Sequence, residues 1–164
     1  MSQNRKTRRM SATQLGGARD ELQEAVLSEF WPRFIPDAKL LFAGDCHAHG
    51  WVVDQDALKE LRLPFSFRRK FPGLVFWQPS KKWLILVNIV KTHGPISLTQ
   101  RAQFESALQD SREKRVYLAA FPTWKVLERH VDKLAWQTGV WLAEVPDHMI
   151  HFNGPKFLAP QEEE

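Results

Sequence analysis

The stretch Trp83-Leu84-Ile85-Leu86-Val87-Asn88-Ile89-Val90 decides the class of fold that this sequence predicts. It is apolar except at Asn88 and rich in β-branched residues, which is typical of a strand. Because apolar residues occupy both alternating faces, we expect helices to cover this strand on both sides of a sheet. A buried amide costs on the order of a few kcal/mol unless it is hydrogen-bonded. Asn88 therefore needs a structural or chemical explanation.

The segments on either side of this strand predict an alternation of helices and strands. Apolar residues recur at three- and four-residue spacing over residues 18–31, which predicts a helix that ends at Pro32. Further helices are expected at residues 56–61, 99–108 and 123–135, and further strands at 39–43, 51–53, 74–77, 115–120 and 140–143. This order predicts an α/β (α+β) fold in which a central mixed β-sheet is flanked by helices.

Length and charge indicate one domain with two short ends. A chain of 164 residues, 43% of them hydrophobic, is long enough to bury one sizeable core. We expect a basic flexible arm at residues 1–17, a single domain at residues 18–160 and an acidic tail at residues 161–164. The formal net charge of +4 hides the contrast between the two ends.

Composition argues against several classes of protein. No apolar run approaches the roughly 20 residues that cross a bilayer, and none follows the basic start as it would in a secretory signal. Cys46 is the single cysteine, so an intramolecular disulfide is impossible. We therefore expect a soluble protein of a reducing, cytoplasmic compartment, with no membrane partner.

Basic residues occur in short groups that suit the phosphate backbone of double-stranded DNA. The candidate DNA-binding residues are Arg5, Lys6, Arg8, Arg9, Arg68, Arg69, Lys70 and His93. The alternative is that these short charge runs are ordinary solvated turns and faces.

Aromatic and histidine residues allow both functional and structural interpretations. Four tryptophans fall in strand or helix patterns and are expected in the core: Trp77, Trp83, Trp136 and Trp141. The alternative is that their rings stack on bases. His47 and His49 could form half of a zinc site, but no matching pair completes it. His148 and His151 are expected to have a structural role.

Three stretches in the second half of the chain carry a family resemblance. They are Leu86-Val87-Asn88-Ile89-Val90-Lys91-Thr92-His93-Gly94-Pro95, Ala119-Ala120-Phe121-Pro122, and residues 134–143 running into His148-Met149-Ile150-His151-Phe152-Asn153-Gly154. With Asp20-Glu21-Leu22-Gln23, Gly44-Asp45 and Phe157-Leu158-Ala159-Pro160, they resemble the BsuBI/PstI family of type II restriction endonucleases, which have the PD-(D/E)XK nuclease fold. The resemblance covers only the C-terminal catalytic domain of that family, whose full-length members carry a further N-terminal domain that helps to recognise DNA.

The resemblance implies Mg²⁺-dependent hydrolysis of DNA phosphodiesters. Because Mg²⁺ is a hard ion that takes oxygen ligands, such a site needs carboxylates. An Asp of the family pattern falls at Gly73 and a Glu at Asn88, so both catalytic acid positions are substituted here. We expect the two positions to lie together at one edge of the sheet. The family pattern Trp-Glu-Thr-Glu reads Trp136-Gln137-Thr138-Gly139 in this sequence, so two further acids are neutral. The resemblance therefore implies a Mg²⁺ site from which the inherited acids are missing.

Glu21, Asp45 and Lys91 are further candidates for the same catalytic site. Glu21 and Asp45 could supply weak carboxylate ligands to a metal. The alternatives are an exposed acid in the first turn of a helix and a routine turn residue. Lys91 could hold a phosphate or a water, although strand alternation from Asn88 places it on the opposite face unless the following loop has begun.

Three hypotheses for function follow. The first is a Mg²⁺-dependent type II endonuclease that cuts double-stranded DNA as a homodimer, because palindromic DNA matches two-fold symmetry. The second is a catalytically inactive nuclease-fold protein that binds DNA or a restriction-modification partner, and the third is a non-functional remnant. Gly73→Asp combined with Asn88→Glu is expected to restore metal binding, as measured by calorimetry.

Overall fold

A mixed sheet organises the part of the chain that the computed structural model describes, which is residues 21–44, 51–52, 54–64, 73–90 and 94–152. Its strands are β1 (Lys39–Ala43), β2 (Trp51–Val52), β3 (Gly73–Gln78), β4 (Trp83–Ile89), β5 (Lys114–Phe121), β6 (Thr138–Leu142) and β7 (Met149–Phe152). They lie in the order β2-β1-β3-β4-β5-β6-β7. Strands β4, β5 and β6 are parallel, and the other neighbours are antiparallel. The predicted central mixed sheet is confirmed.

Helices cover both faces of this sheet. They are α1 (Glu21–Ala25), a π-helical turn (Val26–Phe30), α2 (Trp31–Phe34), α3 (Gln55–Glu60), α4 (Leu98–Ala107), α5 (Trp124–His130) and a 3-10 turn (Val131–Lys133). The helix predicted at residues 123–135 is shorter than expected, because α5 ends at His130 and a 3-10 turn follows it. None of the described helices is long and apolar enough to span a bilayer.

The first helical segment continues past Pro32 to Phe34, so the prediction that Pro32 ends it is wrong. In the π-helical turn, the Trp31 N–H donates to the Val26 carbonyl, one residue further back than in an α-helix. This wider turn makes room for a proline ring, which in an unbroken α-helix would press on the carbonyl four residues earlier. Pro32 then occupies the first turn of α2, where its missing N–H has no helical partner to lose.

Strand β4 is buried on both faces, as its sequence predicts. Val87 packs in the core that includes Leu22 of α1, on what we call the α1 face. Leu86 packs with Phe104 of α4 on the opposite side, the α4 face. Asn88 alternates with Val87 and shares the parity of Leu86, so its side chain lies on the α4 face.

Strand β7 is absent from the elements predicted from sequence. Met149 and Ile150 are half-buried and His151 is exposed, so the segment carries no apolar run long enough to indicate a strand. β7 lies at the margin of the described sheet, where it pairs with β6 from Trp141↔Met149 to Thr138↔Phe152.

Strand β6 covers only the second half of β5. Their pairing runs from Leu118↔Gly139 to Phe121↔Leu142. The first half of β5, residues 114–117, pairs with β4 but has no strand on its other side among the described residues. Residues 114–117 therefore present an unpaired strand edge within the described sheet, which we call the open half-edge of β5.

Candidate functional site

Gly73 and Asn88 are direct partners across β3 and β4. The antiparallel register places Gly73 opposite Asn88 at the end of the ladder. Residues that face each other in this way project to the same side of a sheet. Gly44 follows β1 on the other side of Gly73, and its N–H donates to the Gly73 carbonyl at 2.6 Å. We call Gly44, Gly73 and Asn88 the corner, and the expectation that positions 73 and 88 lie together agrees with this register.

A hydrogen bond to the next element explains the polar residue inside β4. Asn88 is 3% exposed, and its side-chain oxygen accepts a bond from the Ile96 backbone N–H at 3.2 Å. Ile96 directly precedes Ser97, the N-cap of α4. A buried amide therefore satisfies a backbone donor in the segment that leads into α4.

Gly73 lies in a close approach between two strands. A Cβ placed on it would lie 1.9 Å from the Val87 carbonyl oxygen and 3.1 Å from the Asn88 Cα. Both are backbone atoms of β4, which cannot rotate away as a flexible side chain could. A side chain at position 73 requires the β3–β4 ladder itself to move.

Glu21 lies in a different layer from Asn88. It is an exposed residue in the first turn of α1, which packs on the α1 face, whereas Asn88 points to the α4 face. The start of α1 is still tied to the corner, because the Gln23 side-chain amide donates to the Gly44 carbonyl at 3.5 Å. The structure therefore brings the start of α1 near the corner through Gln23, but it does not bring Glu21 to the face on which Asn88 lies.

The other sequence candidates fall on residues outside the described part of the chain. These are the catalytic candidates Asp45 and Lys91, the histidines His47 and His49, and the DNA-binding candidates Arg5, Lys6, Arg8, Arg9, Arg68, Arg69, Lys70 and His93. The predicted arm at residues 1–17 and the tail at residues 161–164 also lie outside it.

The chemistry of the corner does not fit Mg²⁺. Gly73 has no side chain, and the Asn88 oxygen already accepts the Ile96 N–H. Mg²⁺ requires near-octahedral oxygen coordination with one or more carboxylates. Across the ranges that the structure describes, no group of three His, Cys, Asp or Glu side chains could hold an ion. The described residues of the corner therefore offer no negatively charged ligand to a divalent cation.

A second polar cluster lies between α4 and the turn before β6, and the sequence interpretation missed it. The Arg101 guanidinium donates to the Trp136 carbonyl at 2.6 Å and to the Gln137 carbonyl at 3.2 Å. It also stacks 4.1 Å above the Tyr117 ring, whose hydroxyl donates to Glu105 at 2.6 Å. The i,i+4 spacing of Arg101 and Glu105 was the available signal, but it indicates only a shared helix face.

This cluster corrects the expectation that Trp136 belongs to the core. Trp136 is 48% exposed, whereas Trp141 is fully buried. Gln137 lies in the left-handed region at φ 63° in this turn, and Arg101 holds the carbonyls of both Trp136 and Gln137. Trp77 and Trp83 are half-buried, each below a lysine ammonium, Lys39 and Lys81 respectively.

A groove of about 730 Å³ lies beside the open half-edge of β5. Trp83, Ile85, Val116 and Met149 are among its apolar lining, and His151 also lines it. Both His148 and His151 are exposed. The groove is lined by the beginning of β4, whereas the corner lies at that strand's end.

Tyr117 is expected to ionise at unusually high pH. Burial raises the pKa of Tyr117 above its ordinary value, and Glu105 raises it further by hydrogen bond and charge, whereas Arg101 and Arg115 lower it. Because the folded state holds this proton more tightly, the resulting stability is present below about pH 10 and is lost as pH rises towards the folded pKa. Tyr117 is the single tyrosine of the chain, so tyrosinate absorbance reports on it alone.

The titration is measured on folded protein and on protein unfolded in urea, with circular dichroism at each pH as a check on folding. The unfolded chain should titrate near pH 10 and the folded chain well above it. Tyr117→Phe removes the signal and serves as the blank. A folded-state midpoint near that of the unfolded chain would contradict the burial of the hydroxyl.

Comparison with known proteins gives the same result as the motifs. A family model described as the BsuBI/PstI restriction endonuclease domain matches residues 2–155. The type II restriction enzyme BsuBI of Bacillus subtilis is 36% identical over 146 residues, which are 89% of this chain and 46% of that enzyme. The type II restriction enzyme AplI of Arthrospira platensis (strain NIES-39 / UTEX 3086 / IAM M-135) is 30% identical over 149 residues, 87% of this chain and 46% of that enzyme.

A solved structure has the same fold. The SdaI restriction endonuclease superposes with a TM-score of 0.76 at 31% sequence identity, over 90% of this chain and 46% of that one. The chain thus spans about half the length of the relatives that it matches. The resemblance inferred from motifs is confirmed, and so is the restriction-endonuclease-like fold. The chain belongs to the BsuBI/PstI restriction endonuclease family.

Proposed function

We propose that this chain is a nuclease-fold domain that binds double-stranded DNA without Mg²⁺-dependent cutting at the corner. The observation that carries the proposal is the pairing of Gly73 with Asn88, two uncharged residues at the end of the β3–β4 ladder. Membership of a restriction endonuclease family supports DNA as the ligand. The described residues of the corner carry no carboxylate, which lowers their affinity for Mg²⁺ and also their repulsion of phosphates.

The partners follow from the same proposal. Double-stranded DNA is the main partner, and a homodimer would match the symmetry of a palindromic site. A restriction-modification partner is also proposed, because the chain belongs to a restriction endonuclease family. A cytoplasmic location is consistent with the single cysteine.

A Mg²⁺-dependent endonuclease is the second candidate, and family membership is the observation that favours it. In that case the ligands would include carboxylates away from positions 73 and 88. Glu21 is the described candidate, because α1 is tied to the corner through Gln23 and Gly44. Asp45 and Lys91 are the candidates outside the described residues.

The two candidates are distinguished by mobility-shift and plasmid-nicking assays on one preparation. We expect a duplex shift that weakens steeply with salt, as for phosphate contacts, and no nicking in Mg²⁺ or Mn²⁺ beyond a chelator control. Glu21→Ala is compared with Glu24→Ala, which removes another exposed acid of α1. Chelator-sensitive nicking that Glu21→Ala abolishes and Glu24→Ala preserves would establish the endonuclease instead. A complete lack of duplex binding would contradict both candidates.

A further inference from the structure

We infer that Asn88 is a positioning residue whose side-chain amide joins β4 to the start of α4, and that the corner does not accommodate a carboxylate-based metal site. The first observation is the bond between the Asn88 oxygen and the Ile96 N–H, at 3.2 Å and in a position that is 3% exposed. Ile96 itself is half-buried, so the Asn88 oxygen takes the place of water as the partner of its N–H and ties this segment to β4.

The joint fixes the start of α4. Ile96 is followed by Ser97, whose hydroxyl accepts the Gln100 N–H at 3.1 Å, while the Gln100 side chain accepts the Ser97 N–H at 3.0 Å. This reciprocal capping box defines the first turn of the helix. Asn88 anchors the residue just before it, so the sheet and the helix start are linked by one side chain.

Helix α4 extends the effect of the joint to the other polar cluster. Arg101 lies one turn into α4 and holds the carbonyls of Trp136 and Gln137. Arg101 and Asn88 also line the same small pocket, with Ile96 and Thr138. Because Arg101 belongs to α4, the position of α4 on the sheet also sets the position of the turn that contains Trp136 and Gln137.

The same corner opposes a return to a charged ion site. A Glu at position 88 would be longer than Asn and negatively charged in a position that is 3% exposed, where an uncompensated charge is strongly unfavourable. An Asp at position 73 would place its Cβ 1.9 Å from the Val87 carbonyl oxygen. The expectation that Gly73→Asp with Asn88→Glu restores Mg²⁺ binding is therefore reversed.

The joint is tested by hydrogen exchange at the Ile96 amide in the full chain. Asn88→Leu keeps the size of the side chain but removes the acceptor, so the exchange rate of Ile96 should rise about tenfold or more. Asn88→Asp, measured at a pH low enough to keep the new carboxyl group uncharged, keeps an acceptor oxygen at the same position and should retain the protection of the parent. Unchanged protection in Asn88→Leu, or equal loss in both variants, would overturn the positioning role.

The loss of the ion site is tested by calorimetry with Mg²⁺ and by melting temperature. Gly73→Asp with Asn88→Glu should give no heat of binding. Asn88→Glu alone should melt about 5–10 °C below the parent, and Mg²⁺ should raise its melting temperature no more than that of the parent. A heat of binding, or a Mg²⁺-dependent recovery of Asn88→Glu, would overturn the inference. If the double variant fails to fold, the single variant decides. These readouts involve no DNA, so they are independent of the proposed function.

Discussion

Gly73→Ala is expected to destabilise the fold by at least about 3 kcal/mol, the upper end of the usual cost of overpacking. The added methyl group would lie 1.9 Å from the Val87 carbonyl oxygen, and backbone of a central strand cannot move aside without loss of ladder hydrogen bonds. The measurement is the free energy of unfolding from urea denaturation followed by circular dichroism.

Gly94→Ala is the matched control for this substitution. A Cβ at Gly94 would have its nearest neighbour at 3.7 Å, the His130 Nδ1 atom, which is an ordinary contact. Its effect should stay within about 0.5 kcal/mol of the parent, as for other surface changes. Equal stability of the two variants would mean that β3 and β4 do not approach each other as closely as the structure has them.

Trp141→Ala is expected to cost about 3–5 kcal/mol, the range for removal of a large buried aromatic side chain. Trp141 is 0% exposed, packs edge-on against Phe30 at 5.7 Å between ring centroids, and donates its indole N–H to the Pro146 carbonyl at 3.0 Å. The substitution removes ring contacts on the α1 face and leaves that carbonyl without this donor. Urea denaturation again gives the free energy of unfolding.

Trp136→Ala tests whether burial, rather than residue type, sets this cost. The Trp136 ring is 48% exposed, so we expect a loss of about 1 kcal/mol or less. A similar loss at positions 136 and 141 would contradict the outward orientation of the turn that Arg101 holds.

The strands predicted from the sequence are those that carry an apolar run. The apolar run of β4 predicted a strand between two helical layers, and both layers are present. β7 could not be predicted in this way, because Met149, Ile150 and His151 lie at the margin of the sheet without a buried run. The π-helical turn could not be predicted either. The spacing of apolar residues does not show whether an N–H bonds to the carbonyl four or five residues earlier.

The pairing of positions 73 and 88 was predictable from the sequence, whereas the contacts around them were not. Family resemblance put positions 73 and 88 together, and the register agrees. The acceptor role of Asn88 depends on Ile96, eight residues later, and therefore on how the segment before α4 returns across the sheet. The close approach at Gly73 depends on backbone distances between strands, which no local pattern reports.

The open half-edge of β5 bears on aggregation. Unpaired strand edges recruit other chains, and natural proteins protect them with charged side chains. Lys114 and Arg115 begin this segment, and the Arg115 guanidinium donates to the carbonyls of Ser111, Glu113 and Leu108. A second chain that added a strand here would meet two cations at the start of the segment, which disfavours intermolecular pairing.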